Sequence, residues 1–335
     1  MKALIYSFLF CFSYANASEF NIRFAHFMPQ NSWQSEKMFN GWKNAVEEES
    51  NGRISVTVYP AQTLGKAPAG YDNTIRGITD IAWTVQGYTA GRFPLSQIIE
   101  LPGLFDKGIV GSCAFQKLYN SGALDEEYKD VKVLYVHTHG VGHLHTRNKK
   151  IATLEDIKGL KIRRPTNVIA GLISEMDAES IGMPAPTIYQ NVKRGVIDGY
   201  MLPWEAVDSF RTYEVSKQHL EFGFYSLAFV TAMNKRTYER LPDDLKQVID
   251  DNSGMKWSLT AGKGFDTADV IGLEKVKAKG GIVSQLPEAE KAKLQKMAAK
   301  TSRDYISNLD DKGLPATQTL KQIKQYITQC RAEHG

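Results

Sequence analysis

Four histidines lie close together in the middle of the chain, in the segment HTHGVGHLH that runs from His137 to His145. Residues two apart on a strand share a face, so His137 and His139, or His143 and His145, could bring two imidazoles to one metal ion. The segment holds no carboxylate or cysteine to complete a ligand set, and no H-E-x-x-H helix occurs. One interpretation is therefore a metal site; the simpler one is that one or two histidines line a pocket and the others serve structure.

A second candidate is the arginine pair in GLKIRRPT, the segment from Gly159 to Thr166. Leu160 to Arg163 is predicted to form a short strand that stops at Pro165. Strand ends that face a cleft are where ligands bind in α/β proteins. Arg163 or Arg164 could supply a fixed cation there, although either could be an ordinary surface charge or half of a structural ion pair.

Motifs for catalysis are missing. The sequence has no G-x-S-x-G nucleophile segment, no Walker lysine motif and no Cys/His arrangement of known spacing. Glu205 and Asp208 are three residues apart on a predicted helix, which is more typical of a solvated helix face than of an acid–base pair. We therefore predict no catalytic residues, no bound metal and no cofactor.

The bulk composition is that of a soluble globular protein. The chain has 335 residues, of which 42% are hydrophobic and 23% charged. This length suits two domains of moderate size or one large domain. The net charge of +4 is too small, and too evenly spread, to indicate a nucleic-acid partner.

The first 17 residues have the features of a secretory signal peptide. Lys2 provides the positive charge, an apolar run extends from Leu4 to Phe12, and Ala15 and Ala17 precede a plausible cleavage point. Cleavage after Ala17 would release an exported protein with Cys113 and Cys330. Two cysteines in an oxidising compartment could form a disulfide. Their distance in sequence gives no ground to predict that they do.

Strand and helix patterns alternate along the rest of the chain, which predicts an α/β protein with mainly parallel sheets. The segment from Glu221 to Asn234 is long and apolar, and we expect it to run as a strand through two sheets. No linker divides the chain into two blocks. Two sheets joined by several crossings would explain this, and such an architecture has a cleft that closes by hinge bending.

Six segments, in this order, resemble the substrate-binding subunits of tripartite ATP-independent periplasmic (TRAP) transporters, in the dicarboxylate-binding-protein branch. They are SNGRISVTVYPAQTLG, RGITDIAWTVQGYTAGRFP, ELPGLF, LEDIKGLKIRRP, MPAPTIYQNVKRGVIDGYMLP and NKRTYERLPDDLKQVI. The similarity covers nearly all of the chain after the signal peptide. Each segment alone is moderately specific for this family. Six such segments in the same order make the resemblance strong.

The resemblance implies a two-domain periplasmic binding protein fold with hinge-crossing strands and a long helix that spans both domains. Within it we predict one domain from residues 18–140 plus 225–265 and another from 141–224 plus 266–335. It also implies a function: a periplasmic, non-enzymatic protein that captures a small organic acid anion, a carboxylate or a sulfonate. Its partners would be the small and large membrane subunits of a TRAP permease for secondary active import, and we expect a monomer.

The resemblance also assigns site residues. The arginine that ends the GLKIR strand pairs with the ligand carboxylate in the family, and that position is Arg163; Arg164 is then a surface or supporting charge. By spacing, His143 falls where many relatives have a second arginine. Leu202 replaces a polar residue and makes the pocket wall more apolar. The other ligand-binding candidates are Trp204, Gln86, Tyr88, Trp83, Phe27 and Tyr225.

Three matters stay open at this point. The ligand could be a hydroxy or oxo acid, an aromatic acid or a small sulfonate. The protein could present its ligand to a sensor kinase instead of a permease. The alternative function is a periplasmic metal-binding protein or metalloenzyme that uses the histidines from His137 to His145.

Overall fold

The structure, a computed structural model, describes residues 18–335. The predicted signal peptide lies outside the described residues. The strands in the described part are β1 (Phe20–Ala25), β2 (Ile54–Tyr59), β3 (Ile81–Val85), β4 (Val131–Thr138), β5 (Gly142–Thr146), β6 (Lys161–Arg164), β7 (Glu179–Gly182), β8 (Gly199–Leu202), β9 (Gln218–Tyr225), β10 (Ala228–Asn234) and β11 (Ile282–Gln285).

The α-helices of the same residues follow the strands in a largely alternating order. They are α1 (Asn40–Glu49), α2 (Gly70–Ile75), α3 (Gly108–Asn120), α4 (Asp125–Tyr128), α5 (Val168–Glu175), α6 (Ile188–Lys193), α7 (Trp204–Ser209), α8 (Lys235–Glu239), α9 (Asp243–Asp251), α10 (Met255–Ala278), α11 (Glu288–Asp310) and α12 (Ala316–His334). A π-helical turn, Gln34–Phe39, leads directly into α1.

The strands form two separate sheets, and each sheet is the centre of one lobe. The first lobe has a five-stranded sheet in the order β2-β1-β3-β10-β4, and the second has a six-stranded sheet in the order β11-β9-β5-β8-β6-β7. Strands β10 and β5 run antiparallel to their neighbours. Each of these strands directly follows a segment in which the chain crosses from one lobe to the other. The predicted parallel arrangement of strands is therefore interrupted where the chain enters a new sheet.

The chain passes between the lobes several times. Strand β4 belongs to the first sheet and β5 to the second, while β9 belongs to the second sheet and β10 to the first. The long apolar segment therefore does run through both sheets, as predicted. Helix α10 packs against α3 and β4 on one side and against α7 on the other. These crossings confirm the predicted two-domain fold with hinge-crossing strands and a spanning helix.

Two glycines allow α10 to lie close to both lobes. A Cβ atom at Gly264 would come within 1.8 Å of the Trp33 ring, and one at Gly272 would come within 2.4 Å of the Trp204 carbonyl oxygen. Real Cβ atoms do not make such contacts, so only glycine fits at either position. The helix thereby fixes the loop before the π-helical turn and the start of α7, two segments that border the cleft.

The C-terminal helix departs from the predicted domain assignment. Residues 266–335 were predicted to belong to the second domain, but α12 packs against α3 of the first lobe. Its buried side chains Ile323 and Ile327 share a core cluster with residues of α3 and β4. A disulfide between Cys113 and Cys330 joins the two helices, with Cα atoms 5.9 Å apart. The chain returns to its first lobe because α12 covers apolar surface there.

Within residues 18–335 no helix combines the length and the apolar character needed to cross a membrane.

Candidate functional site

A cavity lies between the two lobes and is lined almost entirely by apolar side chains from both sheets. Its aromatic walls come from the first lobe and α10, and its floor comes from the strand ends of the second lobe. The lining residues are Phe27, Met28, Gln34, Trp83, Val85, Tyr88, His139, Arg163, Ala185, Leu202, Pro203, Glu205, Ala206, Phe210, Leu227, Phe229 and Phe265. Of the predicted ligand-binding residues, Arg163, Trp83, Tyr88, Phe27 and Leu202 are among them.

Among residues 18–335, Arg163 is the one cation that lines this cavity, and its side chain is fully buried. It lies near the carboxyl end of β6, the strand that Pro165 terminates. Its Nε donates to the carbonyl oxygen of Met183 at 2.9 Å, and its Nη1 donates to that of Met201 at 2.8 Å. Its Nη2 donates to the Tyr88 hydroxyl at 3.3 Å. All three partners are neutral, so no described carboxylate neutralises the guanidinium.

The hydrogen bonds of Arg163 leave a defined part of the guanidinium free. A guanidinium has five N–H donors, and three of them are engaged, which leaves one on Nη1 and one on Nη2. This pair of donors is the fork that binds the two oxygens of a carboxylate. Because a buried charge without a counterion is costly, the geometry is that of an anion receptor rather than of a structural ion pair.

Arg164 has a different environment. Its side chain is only partly buried and lies against Gly182 of β7, outside the cavity. Burial, with a further contribution from the charge of Arg163, lowers its pKa. The expected division of roles between the two arginines therefore agrees with their positions.

Two contacts hold the lobes together at the cavity. Tyr88 of the first lobe accepts hydrogen bonds from Arg163 and, at 2.9 Å, from the backbone N–H of Ala185, both in the second lobe. The buried carboxyl of Glu100 accepts from the Thr166 hydroxyl at 2.6 Å and from the Ala228 N–H at 3.0 Å. Burial raises the pKa of Glu100 to about 7. Both contacts link first-lobe residues to segments at the strand ends of the second lobe, so separation of the lobes at this point would break them.

The aromatic wall is a stack centred on Trp83. Its ring lies 4.8 Å from the ring of Phe27 and 4.7 Å from that of Phe229, measured between centroids, and both pairs are stacked. The indole N–H of Trp83 donates to His137 Nε2 at 2.7 Å. His137 thus fixes the orientation of Trp83 without lining the cavity, which agrees with the structural role expected for it.

His139 lines the cavity, although the sequence did not single it out from its neighbours. Its Nδ1 donates to the Gly140 carbonyl oxygen, and its buried Nε2 has no hydrogen-bond partner in the part of the chain that the structure describes. Burial lowers the pKa of His139 to about 4, and the charge of Arg163 contributes to the shift. A neutral imidazole with a free acceptor nitrogen therefore lies next to the anion receptor.

Four predicted ligand-binding residues do not line the cavity. His143 Nδ1 accepts from the Phe222 N–H at 3.2 Å, and its ring packs 4.9 Å from that of Trp204 inside the second lobe. Gln86 hydrogen bonds to the Tyr128 hydroxyl in the interior of the first lobe. The Tyr225 ring lies against Gly142 and beside His139, immediately behind the wall.

The histidine segment does not assemble a metal site among the described residues. His137, His139 and His143 each engage a separate partner, and His145 Nδ1 lies 2.8 Å from His219 Nδ1. In residues 18–335, the one grouping of His, Cys, Asp or Glu atoms with metal-like proximity is Cys113, Cys330 and Glu333. Its two sulfurs are already joined in the disulfide.

Comparison with known proteins identifies a family. The DctP family model, described as bacterial extracellular solute-binding protein, family 7, matches residues 24–308. Among curated proteins, the 2,3-diketo-L-gulonate-binding periplasmic protein YiaO of Escherichia coli K12 is 27% identical over 254 residues, covering 74% of this chain and 76% of its own.

Solved structures show the same similarity in three dimensions. A TRAP solute binding protein from Rhodoferax ferrireducens T118, in complex with copurified benzoate, is 35% identical with a TM-score of 0.91, covering 94% of this chain and 99% of that one. A marine metagenome TRAP solute binding protein specific for aromatic acid ligands, in complex with 3-hydroxybenzoate, is 34% identical with a TM-score of 0.89, covering 93% and 99% of the two chains.

Proposed function

Because the chain belongs to the DctP family, family 7 of the bacterial extracellular solute-binding proteins, we propose that it binds a small aromatic carboxylate between its lobes and delivers it to a TRAP permease. The observation that carries this proposal is a fully buried guanidinium with two free donors, set in a mostly apolar cavity with several aromatic rings in its walls. Arg163 binds the carboxylate, and Trp83, Phe27 and Phe229 contact the ring.

Charge selects an anion at this site. A guanidinium is a fixed cation, so a neutral ligand in the closed cleft would leave the buried charge of Arg163 uncompensated. The neighbouring His139 carries no charge near neutral pH, because burial lowers its pKa to about 4. The receptor thus offers one positive charge and one fork, which fits a monocarboxylate better than a dicarboxylate.

The walls select an aromatic body. A flat ring that packs against the cavity-facing side of the Phe27, Trp83 and Phe229 stack buries apolar area and adds favourable ring–ring contacts. A sugar acid would place hydroxyl groups against these rings, where they find no hydrogen-bond partners. The two similar structures with benzoate and 3-hydroxybenzoate support the same class of ligand.

We further infer the setting in which the protein works. The predicted signal peptide would export it to the periplasm as a monomer, where small and large TRAP membrane subunits would receive the ligand. Tyr88 and Glu100 would form their contacts across the cleft as it closes on the ligand, so that the membrane subunits distinguish the loaded from the empty form.

A ligand screen tests the proposal directly. Purified mature protein is first unfolded and refolded to remove carried-over ligand, and is then tested by thermal shift against aromatic acids, aliphatic hydroxy acids, sugar acids and small sulfonates. A ligand at one hundred times its dissociation constant stabilises the folded state by about 2.7 kcal/mol. We expect benzoate-like acids to raise the melting temperature most. Stabilisation by sugar acids alone would contradict the aromatic assignment.

Tyr88→Phe is expected to weaken binding of the best aromatic acid by about tenfold, because it removes an acceptor for Arg163 and leaves the Ala185 N–H without a partner. Calorimetric titration gives the affinity, and the melting temperature of the free protein should barely change. Tyr189→Phe is the matched control: that hydroxyl donates to Glu214 at 3.1 Å within the second lobe. Equal losses in both variants would show that the Tyr88 bridge does not contribute to closure.

A further inference from the structure

A second polar patch lines the cavity, formed by Gln34 and Glu205. Gln34 is completely buried, and its amide lies beside the Glu205 carboxyl, whose pKa burial raises and this amide helps to lower, although neither its Oε1 nor its Nε2 makes a hydrogen bond of normal geometry within the described residues. Glu205 is 3% exposed, and one carboxylate oxygen accepts from the Ser209 hydroxyl at 2.6 Å. Buried polar side chains in proteins nearly always have their hydrogen bonds satisfied, so a buried amide on a cavity wall with Glu205 as its polar neighbour and no well-formed hydrogen bond requires an explanation.

The patch is distinct from the anion receptor. Arg163, Tyr88 and His139 lie together, joined by a hydrogen bond and by the influence of the arginine charge on the His139 pKa. Gln34 and Glu205 share no hydrogen-bond partner with that group. Glu205 also borders the outer pocket formed by the loop at Pro29 to Trp33 and by α7. The cavity lining therefore contains two polar groups that share no hydrogen-bond partner, together with the aromatic side chains of the wall.

The backbone at Gln34 is unusual in a way that supports a ligand role. Gln34 begins the π-helical turn Gln34–Phe39. Such turns are rare, pack one extra residue into a helical turn, and occur frequently at functional sites because they redirect side chains. Met38 and Phe39 of the same turn are buried in the core, which holds the turn in place. Gln34 is thus kept against the cavity by a rigid element.

We propose that Gln34, with Glu205 as its neighbour, binds a polar substituent on the ring of the aromatic acid, above all a hydroxyl group. The proposal rests on the proposed function, since it takes the carboxylate to lie on Arg163. A hydroxyl can donate to Gln34 Oε1 and accept from Nε2, so it satisfies an amide that an unsubstituted ring leaves unpaired. A site built to hydrogen bond a hydroxyl discriminates strongly against the analogue that lacks it.

The test compares hydroxyl with methyl at the same ring position. Calorimetry measures dissociation constants of the wild-type protein for benzoate, for 3- and 4-hydroxybenzoate, and for 3- and 4-methylbenzoate. We expect one hydroxybenzoate to bind about tenfold or more tightly than its methyl counterpart. In Gln34→Met that preference should vanish, while the affinity for benzoate stays within about threefold, because the substitution keeps the length and removes the amide.

Two controls separate recognition from folding. Gln30→Met makes the same substitution on an exposed loop residue outside the cavity, and it should keep the hydroxyl preference. Free Gln34→Met should melt no lower than the wild type, since it removes an unpaired buried amide. If Gln34→Met fails to fold, the same titrations are made with Glu205→Gln instead. We expect the preference for hydroxybenzoate over methylbenzoate to fall by at least about threefold in that variant.

The outcomes are distinguishable. A hydroxyl preference that persists in Gln34→Met, or that is missing from the wild type while benzoate binds, overturns this inference alone and leaves the proposed function standing. The same holds if Glu205→Gln, used as the substitute, keeps the full preference. If none of the five acids binds the wild type, both the inference and the aromatic-carboxylate proposal are wrong.

Discussion

Arg163→Ala is expected to reduce the affinity for the acid by a factor of about 30 to several thousand. The guanidinium is fully buried and its hydrogen-bond partners among residues 18–335 are neutral, so in the proposed complex the ligand carboxylate would be its counterion. Truncating one partner of a buried, hydrogen-bonded charge pair typically costs about 2–5 kcal/mol. At about 1.4 kcal/mol per decade, this range gives the expected loss. Calorimetric titration with the best ligand from the screen measures it.

Arg163→Lys is expected to recover only part of that affinity. A lysine keeps the charge, but its ammonium cannot donate to Met183 and Met201 and also present two parallel donors to the ligand. Arg164→Ala is the matched control, because it removes an adjacent arginine that does not line the cavity. Equal losses for the two alanine variants would show that the wrong arginine has been named. Near-wild-type affinity in both would place the ligand anion elsewhere.

The position of Arg163 on the cavity wall could be predicted from the sequence because its signals are local. A strand pattern that ends at Pro165 fixes where β6 stops, and Arg163 is then at a strand end facing the cleft. The apolar segment that becomes β9 and β10 likewise carries its information in its own length and composition. Both predictions depend on neighbouring residues alone. They do not require knowledge of how close two segments that are remote in sequence come in the fold.

The histidines show where such reasoning stops. Counting back from the arginine strand assigned the cleft position to His143, whereas the structure brings His139 to the cavity. The link between β4 and β5 carries His139, and β5 has a register irregularity between Gly142 and Leu144 in its pairing with β9. Such a shift in register alters which side chains face the cleft. The alternation of apolar and polar residues along a strand does not reveal it.

Two further features depend on tertiary packing alone. Gln34 lies in a polar, unremarkable segment, and only the π-helical turn explains why its amide reaches the cavity. Gln86 and Tyr225 are close in sequence to lining residues Val85 and Leu227, yet they point into the protein interior. Proximity along the chain identified the segments that border the cavity, but not which side chains of those segments line it.

The disulfide could not be predicted from the sequence either, because its two cysteines are separated by 217 residues. What brings them together is the packing of α12 on α3, in a cluster where both cysteines are fully buried. The pattern of α12 shows an amphipathic helix, but it does not say which lobe that helix covers. The predicted signal peptide indicates only that the protein is exported to a compartment in which disulfides can form.

Replacing both cysteines with alanine is expected to lower the free energy of unfolding by about 3–5 kcal/mol. A cross-link over 217 residues closes a very long loop, and the chain-entropy relation gives a stabilisation of about 5 kcal/mol for it. The paired change Cys113→Ala and Cys330→Ala avoids a free thiol and a buried hydroxyl. Urea denaturation of the oxidised wild type and the double variant measures the difference.

The denaturation curves also separate two explanations of that loss. If the disulfide acts by restricting the unfolded chain, the double variant exposes more surface on unfolding and its transition has a steeper dependence on urea. If it acts only by holding α12 on α3, the slope stays the same. Ligand affinity should remain within about twofold of wild type, since neither cysteine and no other residue of α12 lines the cavity. Unchanged stability in the double variant would mean that packing of α12 on α3 alone secures the C-terminal helix.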